Sequence, residues 1–464
     1  VFGDWSSDVC SSDLLASDLA AWSQYDQGRI NILNDYYQHI KSVKPNAYVI
    51  LEHFAENNEE VSLANAGMML WSAMHTQYKQ TGIGWPSNSD LSRAYHGNRG
   101  FTYPNLIDYM ENHDEERIMY EALAYGNSTG GYNLKDTATA LHHQQMAAVL
   151  MMGIPGPKMI WQFGETGYDY SIMFNGGRTS RKPPRWDYFS VPERQQLYHT
   201  YSAMAKLRKR DAFRFGNFSG DLGGGGKRIW IAHSSMNVVI AANMDVTTFS
   251  MTPGFQHAGE WYDYFSGETV NITDPAGHSV SFAPGEFRVF TDVKLDKPYH
   301  QVSLSIRDST DLSPLEGAEI QYEGVGSYFS DPQGNLLMYA FPGLVRMKIL
   351  KQGYKPYHRT LQLQENQSVS VLLQRDSNYG TGQPEADRIR IYPNPAENEV
   401  TIESDHIYTI SIFTPDGRFL WKHRMEHSRE TISLRDLQKG LYLIRLSGEK
   451  DSATRKLILK HSGD

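Results

Sequence analysis

The chain has 464 residues, too many for a single hydrophobic core; at about 100–200 residues per domain, three or four units are expected. A net charge of −9, with no dense Lys/Arg run, argues against a nucleic-acid partner, because such binding rests on phosphate neutralisation. No run of about 18 apolar residues is present, so no transmembrane segment is expected, while aromatics at 12%, with 28 Tyr and 9 Trp, suit a surface that stacks on flat ligands as well as a packed core.

Residues 4–14 read DWSSDVCSSDL, polar and repetitive with neither helical nor strand periodicity. Back-translation resembles a sequencing-library adapter. Residues 1–14 are therefore set apart as an artefact, and the authentic sequence is expected to start near Leu15 with its own N-terminus, signal peptide included, missing. The only cysteine, Cys10, falls inside that segment, leaving no disulfide framework and no thiol nucleophile.

Residues 15–209 alternate helical and apolar-strand patterns. Ile30, Leu33, Tyr37 and Ile40 recur at helical spacing over residues 27–43, and Pro45 stops that helix. The continuous apolar run 48–51 predicts a strand covered on both faces. Further short apolar runs at 68–71, 106–110 and 158–163 are separated by segments long enough for helices, notably 136–152, with a last helix at 192–209. Such alternation predicts parallel βα units, and four strands make half of an eight-stranded barrel.

The texture then turns to β. Strands at 227–233, 238–244, 261–265 and 280–290 define a compact domain over 210–293. A second all-β unit spans 298–375, with turn signals at 331–334 and 352–354 as in a small sandwich. Residues 376–387, polar with Gly and Pro, read as a linker, and 388–464 form the final β unit.

Two strand ends carry carboxylates. Glu52 closes the run YVILEHF, and Asp114 follows LIDYMENH. In a βα barrel the C-terminal ends of strands converge on one face, so the two are expected to flank a common cleft from neighbouring strands. A proton donor and a second carboxylate so placed suit glycosidic cleavage, whose transition state resembles an oxocarbenium ion. Glu56, Glu59 and Glu60 read as a solvated helix start favoured by the helix dipole. His142 and His143 read as packed or surface histidines, since no HExxH is present. Gly223 to Gly226 before Lys227 lacks the GK[ST] of a phosphate loop and reads as a β turn. No metal ligands and no GxSxG signature are found.

ENHDEER after an apolar strand, VILEHF upstream, MIWQFGETGYDYSI downstream and the ending VSFAPGEFRVF together resemble the α-amylase family, glycoside hydrolase family 13. That resemblance covers roughly residues 20–292. It implies the C-terminal half of a TIM (β/α)8 barrel and the family's C-terminal β domain. It makes Glu52 the general acid/base, Asp114 the carboxylate that stabilises the transition state, and Asn112 and His113 contacts to substrate hydroxyls. Trp161, Tyr168 and Arg178, with Asp169 and Tyr170, would line the sugar site from the loop after the last barrel strand. No cofactor is expected in this segment, although calcium is common in the family. The family's nucleophile, an Asp in an Arg-x-Asp setting, has no counterpart: Asp18 and Asp26 precede Glu52 without ending an apolar strand. By itself the chain is thus expected to be inactive on its α-1,4-glucan substrate. The alternative is a non-catalytic glycan-binding or adhesive surface protein.

The 298–375 unit, with SDPQGN and FPGLVRMKILKQGYKPYHRTLQL, resembles the carboxypeptidase regulatory-like Ig-type sandwich and is expected to act as a spacer. The final unit, with IRIYPNPAENEVTI, ISIFTPDGRFL and LRDLQKGLYLIRL, looks like the C-terminal sorting domain of the type IX secretion system. It implies export across a Gram-negative outer membrane and the secretion machinery as a partner.

Overall fold

A computed structural model describes residues 23–323, 325–376, 389–404, 406–414, 419–448 and 452–460. The 1–14 segment, Asp18, the body of the 376–387 linker and residues Asp416 and Gly417, where the sequence suggests a turn, lie outside them.

Helix α1 (Gln27–Val43) starts where the Asp26 carboxylate accepts from the Arg29 amide, and it ends just before Pro45. It leads into a parallel sheet of strands β1 (Ile50–Leu51), β2 (Met69–Trp71), β3 (Leu106–Tyr109) and β4 (Lys158–Met159), hydrogen-bonded in that order. Helices α2 (Asn57–Asn65), α3 (His75–Gly82), α4 (Ile118–Tyr125) and α5 (Thr137–Gly153) stand between the strands, and α6 (Pro192–Leu207) follows. The alternation read from the sequence is thus present. Among the described residues the sheet does not close, and β1 and β4 are its edges.

Three sequence expectations fail. The run at β1 is not covered on both faces: a small cluster of Ile30, Leu33, Leu63 and Met68 packs from one side, while Tyr48 is 85% and Ile50 44% exposed. Glu59 and Glu60 are not a solvated helix start. Glu59 is fully buried and takes a bidentate pair from Arg29 at 2.6 and 2.8 Å, plus His53 Nε2 at 2.8 Å, and buried Glu60 pairs with Arg99. The cause is long-range, since buried carboxylates persist only when paired. The 280–290 run is two strands, Val280–Phe282 and Phe287–Thr291, broken at Gly285. Its φ of +70° needs glycine, and a Cβ there would overlap the Tyr132 hydroxyl.

The main core lies where α5 meets the next domain. This helix is apolar nearly all round, and residues on every side of it are buried, as expected for a helix enclosed by protein. Its last residue, Gly153, admits the Ile240 and Ile229 side chains, which a Cβ would meet at 2.7 and 3.0 Å. Those residues belong to a six-stranded antiparallel sheet of β5 (Asn217–Asp221), β6 (Gly226–Ala232), β7 (Val238–Asn243), β8 (Gly259–Asp263), β9 (Thr269–Ile272) and β10 (Phe287–Thr291), in the order β9-β8-β10-β7-β6-β5. The Gly223 to Gly226 run turns into β6. Lys227, fully buried, clamps that turn by donating to the carbonyls of Ser89 and Leu222, both at 2.6 Å.

Residues 300–373 form two sheets: β11 (His300–Asp308) between β14 (Asn335–Ala340) and β17 (Gln367–Leu373), and the order β13-β12-β15-β16 from β12 (Glu319–Tyr322), β13 (Gly326–Phe329), β15 (Gly343–Leu350) and β16 (Tyr357–Leu363). Strand β14 is hydrogen-bonded to α6. Its Tyr339 amide donates to Gln195 Oε1 at 3.0 Å and its carbonyl accepts from His199 Nε2 at 3.0 Å, both buried residues of α6. By contact the chain divides into two compact units: 314–349 and 358–371 join everything up to 307, and the second unit holds 308–313, 350–357 and 372 onward.

The last domain pairs a three-stranded sheet with a four-stranded one. The first is β18 (Ile389–Tyr392), β19 (Glu399–Ser404) and β22 (Arg429–Ser433); the second is β21-β20-β23-β24, from β20 (Thr409–Phe413), β21 (Phe419–Arg424), β23 (Gly440–Ser447) and β24 (Ser452–Leu459). Alternate residues such as Val400, Ile402, Ile410, Ile412, Ile444 and Leu446 fill the space between them. In the YPNP segment the Asn394 amide pairs with β24, donating to Lys456 O at 2.7 Å and accepting from Ile458 N at 2.9 Å.

Candidate active site

Because the four strands run parallel, their C-terminal ends share one edge of the sheet. Glu52 follows β1 directly, the Asn112 to Glu115 turn follows β3, and Trp161 follows β4. Strand β2 lies between β1 and β3, so Glu52 and Asp114 stand two strands apart rather than on neighbouring strands, roughly 10 Å between backbones at the usual strand spacing.

The ENHDEER turn is built from braces and cavity-facing groups. Glu111 and Arg117 are both buried and pair at 3.0 Å, and Glu111 also accepts from the Ile118 amide at 2.8 Å. Arg117 reaches on to the Gln162 carbonyl and lies over the Tyr168 ring. Glu116 takes the Ser171 hydroxyl at 2.8 Å and the Ile172 amide at 2.7 Å, fastening the turn to the loop after β4. Asn112 shapes the bend itself, its Oδ1 accepting from the amides of Asp114 and Glu115 at 3.0 and 2.9 Å. Sequence reasoning missed Glu111, Glu116 and Arg117 as site-building residues; the signal was the set of charges flanking Asn-His-Asp, without a way to tell braces from solvated groups.

Between the braces the half-exposed Asp114 is ion-paired to Arg178, which also donates to the Asp114 carbonyl at 3.2 Å. His113 Nε2 lies 3.3 Å from the other Asp114 oxygen, and its ring sits 6.0 Å from that of Trp161. Asn112, His113, Trp161, Tyr168 and Arg178 line one cavity of about 210 Å³, with Glu115, Tyr170 and Lys182. Tyr168 is chiefly a wall of it: the ring is 3% exposed and stacks on Phe163 at 5.9 Å, and its hydroxyl donates to Pro183 O at 2.7 Å. Asp169 is taken up by Arg194 at 2.8 Å and by the Tyr188 hydroxyl.

Glu52 is half-buried and does not line that cavity. Its charge is felt at the foot of the turn. The Tyr109 hydroxyl, at the end of β3, is pushed up to about 12, first by burial, then by Glu115, against the Asn112 hydrogen bond, and then by Glu52 and Asp108. Asp26, upstream of Glu52, is the cap of α1. His143 is a packed histidine, hydrogen-bonded to the Thr81 carbonyl and the Tyr132 hydroxyl, both at 2.9 Å. Among the described residues no group of three His, Cys, Asp or Glu side chains is placed to hold a metal ion, and no helix is long and apolar enough to cross a membrane.

Comparison with known proteins gives one sequence match: residues 390–460 match the family described as the secretion system C-terminal sorting domain. That domain marks the chain for secretion or attachment at the cell surface. No curated protein sequence matches the chain. Solved structures similar to it include an α-amylase from Anoxybacillus, at 15% identity over 56% of this chain and 56% of that one, with a TM-score of 0.43. An α-amylase from Geobacillus thermoleovorans complexed with acarbose gives 15% identity over 58% and 59%, TM-score 0.43. CldA, a cyclomaltodextrin glucanotransferase, gives 16% over 59% and 56%, TM-score 0.43. The chain thus spans little more than half the length of these structures.

Proposed function

We propose that this chain is part of a secreted, retaining glycoside hydrolase of the α-amylase type acting on α-1,4-glucans, with Glu52 as general acid/base and Asp114 as the carboxylate that stabilises the transition state. The observation that carries the reading is the single cavity at the C-terminal edge of the parallel sheet, where Asn112 and His113 from the turn after β3 meet Trp161 and Arg178 from beyond β4, with Asp114 ion-paired to that same Arg178 and Glu52 following β1 on the same edge. Sugar hydroxyls would meet Asn112, His113 and Arg178, and Trp161 offers a ring face beside them. Holding the substrate against a preset carboxylate is the larger part of what such a site supplies.

Retention requires a nucleophilic carboxylate about 5–5.5 Å from the acid/base. The described carboxylate nearest upstream of Glu52 is Asp35, on α1, after Asp26 has capped that helix, and neither ends a strand. Turnover is therefore assigned to a polypeptide that supplies the nucleophile from upstream sequence, and on its own this chain binds glucan without cleaving it.

The deciding experiment is hydrolysis of soluble starch by the protein encoded by the complete reading frame, beside its Glu52→Gln and Asp114→Asn variants. Reducing-end release by the parent and a loss of at least about 10³-fold in each variant is the expected result. A complete protein that binds maltoheptaose but releases no reducing ends would decide for a glycan-binding surface protein.

A further inference from the structure

The two outer faces of the sorting domain differ in kind. On the β18-β19-β22 sheet the outward positions compensate one another: Arg390 lies opposite Glu403, which lies opposite Arg429. The Tyr392 hydroxyl donates to that same Glu403 at 2.7 Å, and Thr401 and Thr431 share a hydrogen bond of 2.9 Å. This is a solvated face with its charges matched.

The β21-β20-β23-β24 sheet behaves otherwise. With Ile410, Ile412, Tyr442, Ile444 and Leu446 turned into the core, the alternate positions face out. Register then sets Phe413 beside Phe419 on one side and Leu443 on the other, with Leu441 opposite Ile458 in the adjoining row. Phe419, Leu441 and Ile458 remain 54, 41 and 40% exposed. The apolar strip is edged by Lys456 opposite Leu443, and the next rows carry Lys422 and Arg445 on either side of Ser411, then Arg424 opposite Thr409. Among the described residues, the outward positions of these four strands hold four cations and no carboxylate, in a chain whose net charge is −9.

We propose that this face is the docking surface of the sorting domain for a folded protein partner of the secretion pathway, one presenting carboxylates around an apolar contact. An unmatched basic patch both attracts and orients an acidic partner, and an apolar strip beside it supplies the desolvated centre that a specific interface needs. The mixing of cations and apolar groups on one sheet face argues for a protein over a bilayer. Lys and Arg side chains outreach Phe and Leu from the same plane, so the cations stand as high as the apolar groups, and insertion into lipid would bury charge. A protein surface can meet both.

The test uses the full chain carrying an added signal peptide in a Gram-negative host that has the type IX system, with secreted and periplasmic fractions measured. Arg445→Glu with Lys456→Glu is expected to lower the secreted fraction at least 10-fold and leave the chain in the periplasm with an unchanged melting temperature. Arg390→Glu, on the compensated face, is expected to be secreted like the parent. Should charge reversal disturb folding, Lys422→Gln with Lys456→Gln replaces it, with a smaller loss of about 3-fold expected at equal melting temperature. A parent chain that stays in the periplasm, or a reversed chain that is secreted as well as the parent, overturns the proposal. Sedimentation with phosphatidylglycerol vesicles that is lost on charge reversal would overturn it in favour of a lipid surface.

Discussion

Arg178 and Asp114, 64 residues apart in sequence, are joined twice: the guanidinium bonds the carboxylate and donates to the main-chain carbonyl of the same residue. Both side chains are about two-fifths exposed, so the pair adds at most about 1 kcal/mol to stability. Its effect is orientation, holding the Asp114 carboxylate between Arg178 and His113, two residues that line the cavity. Arg178→Ala should leave the melting temperature within about 2 °C of the parent and weaken maltoheptaose binding roughly 10-fold, about 1.4 kcal/mol, read by quenching of tryptophan fluorescence. Unchanged affinity would remove Arg178 from the site.

The neighbouring pair, Glu111 and Arg117, predicts the reverse pattern. Both are buried, and removing one partner strands the other without solvent. Glu111→Gln or Arg117→Met should cost about 3–5 kcal/mol, seen as a lower denaturant midpoint. His113→Ala, on the same turn but half-exposed, should cost under about 0.5 kcal/mol. Equal losses for all three would mean that the turn is not braced from beneath.

That division of the turn marks where sequence reading stops. Strand ends could be found because buried parallel strands are continuous apolar runs, and the rule that their C-terminal ends share an edge places Asn112, His113 and Trp161 together. That rule does not reach Arg178, which arrives from the loop well past β4, and it did not foresee that Glu52, on the same edge, stays out of the cavity. Helix limits were legible too, since Asp26 and Asp136 cap α1 and α5 with local hydrogen bonds to the amides of Arg29 and Thr139. Partners far along the chain were not. Nothing local to Glu59 announces Arg29, or to Glu60 Arg99, and without those cations both read as surface acids. Likewise the exposure of Tyr48 depends on what lies beside β1, which no property of its own run encodes.

Acid should weaken the first compact unit through two histidines. Burial pushes His143 and His199 down to about 4 from an ordinary 6.5. Each is neutral in the fold, with Nε2–H donating to a carbonyl, Thr81 for the first and Tyr339 for the second. Between pH 6.5 and 4 the unfolded chain therefore binds more protons than the folded one, and stability falls as pH falls through that window. The loss is roughly 3 kcal/mol at most per histidine. Thermal melts at pH 7 and pH 4.5 check it: His199→Gln, which keeps a donor for Tyr339, should lose less on acidification than the parent. A parent melting temperature independent of pH over this range would show that neither imidazole is held neutral.

The two sheet edges predict association. Strands β1 and β4 each present an unpaired side among the described residues, and the apolar groups near them are open: Tyr48 is 85%, Ile50 44% and Ile160 42% exposed. Unpaired edges of this kind template further strands, and charged side chains placed on them suppress that pairing. The chain should therefore form oligomers at micromolar concentration and bind a hydrophobic dye, and Ile50→Lys should raise the monomer fraction in sedimentation velocity without lowering the melting temperature of the sorting domain, whose strands lie in other sheets. A parent that sediments as a monomer and leaves the dye dark would mean that the edges are covered in solution, and the open four-stranded sheet would then be the wrong description of this half of the chain.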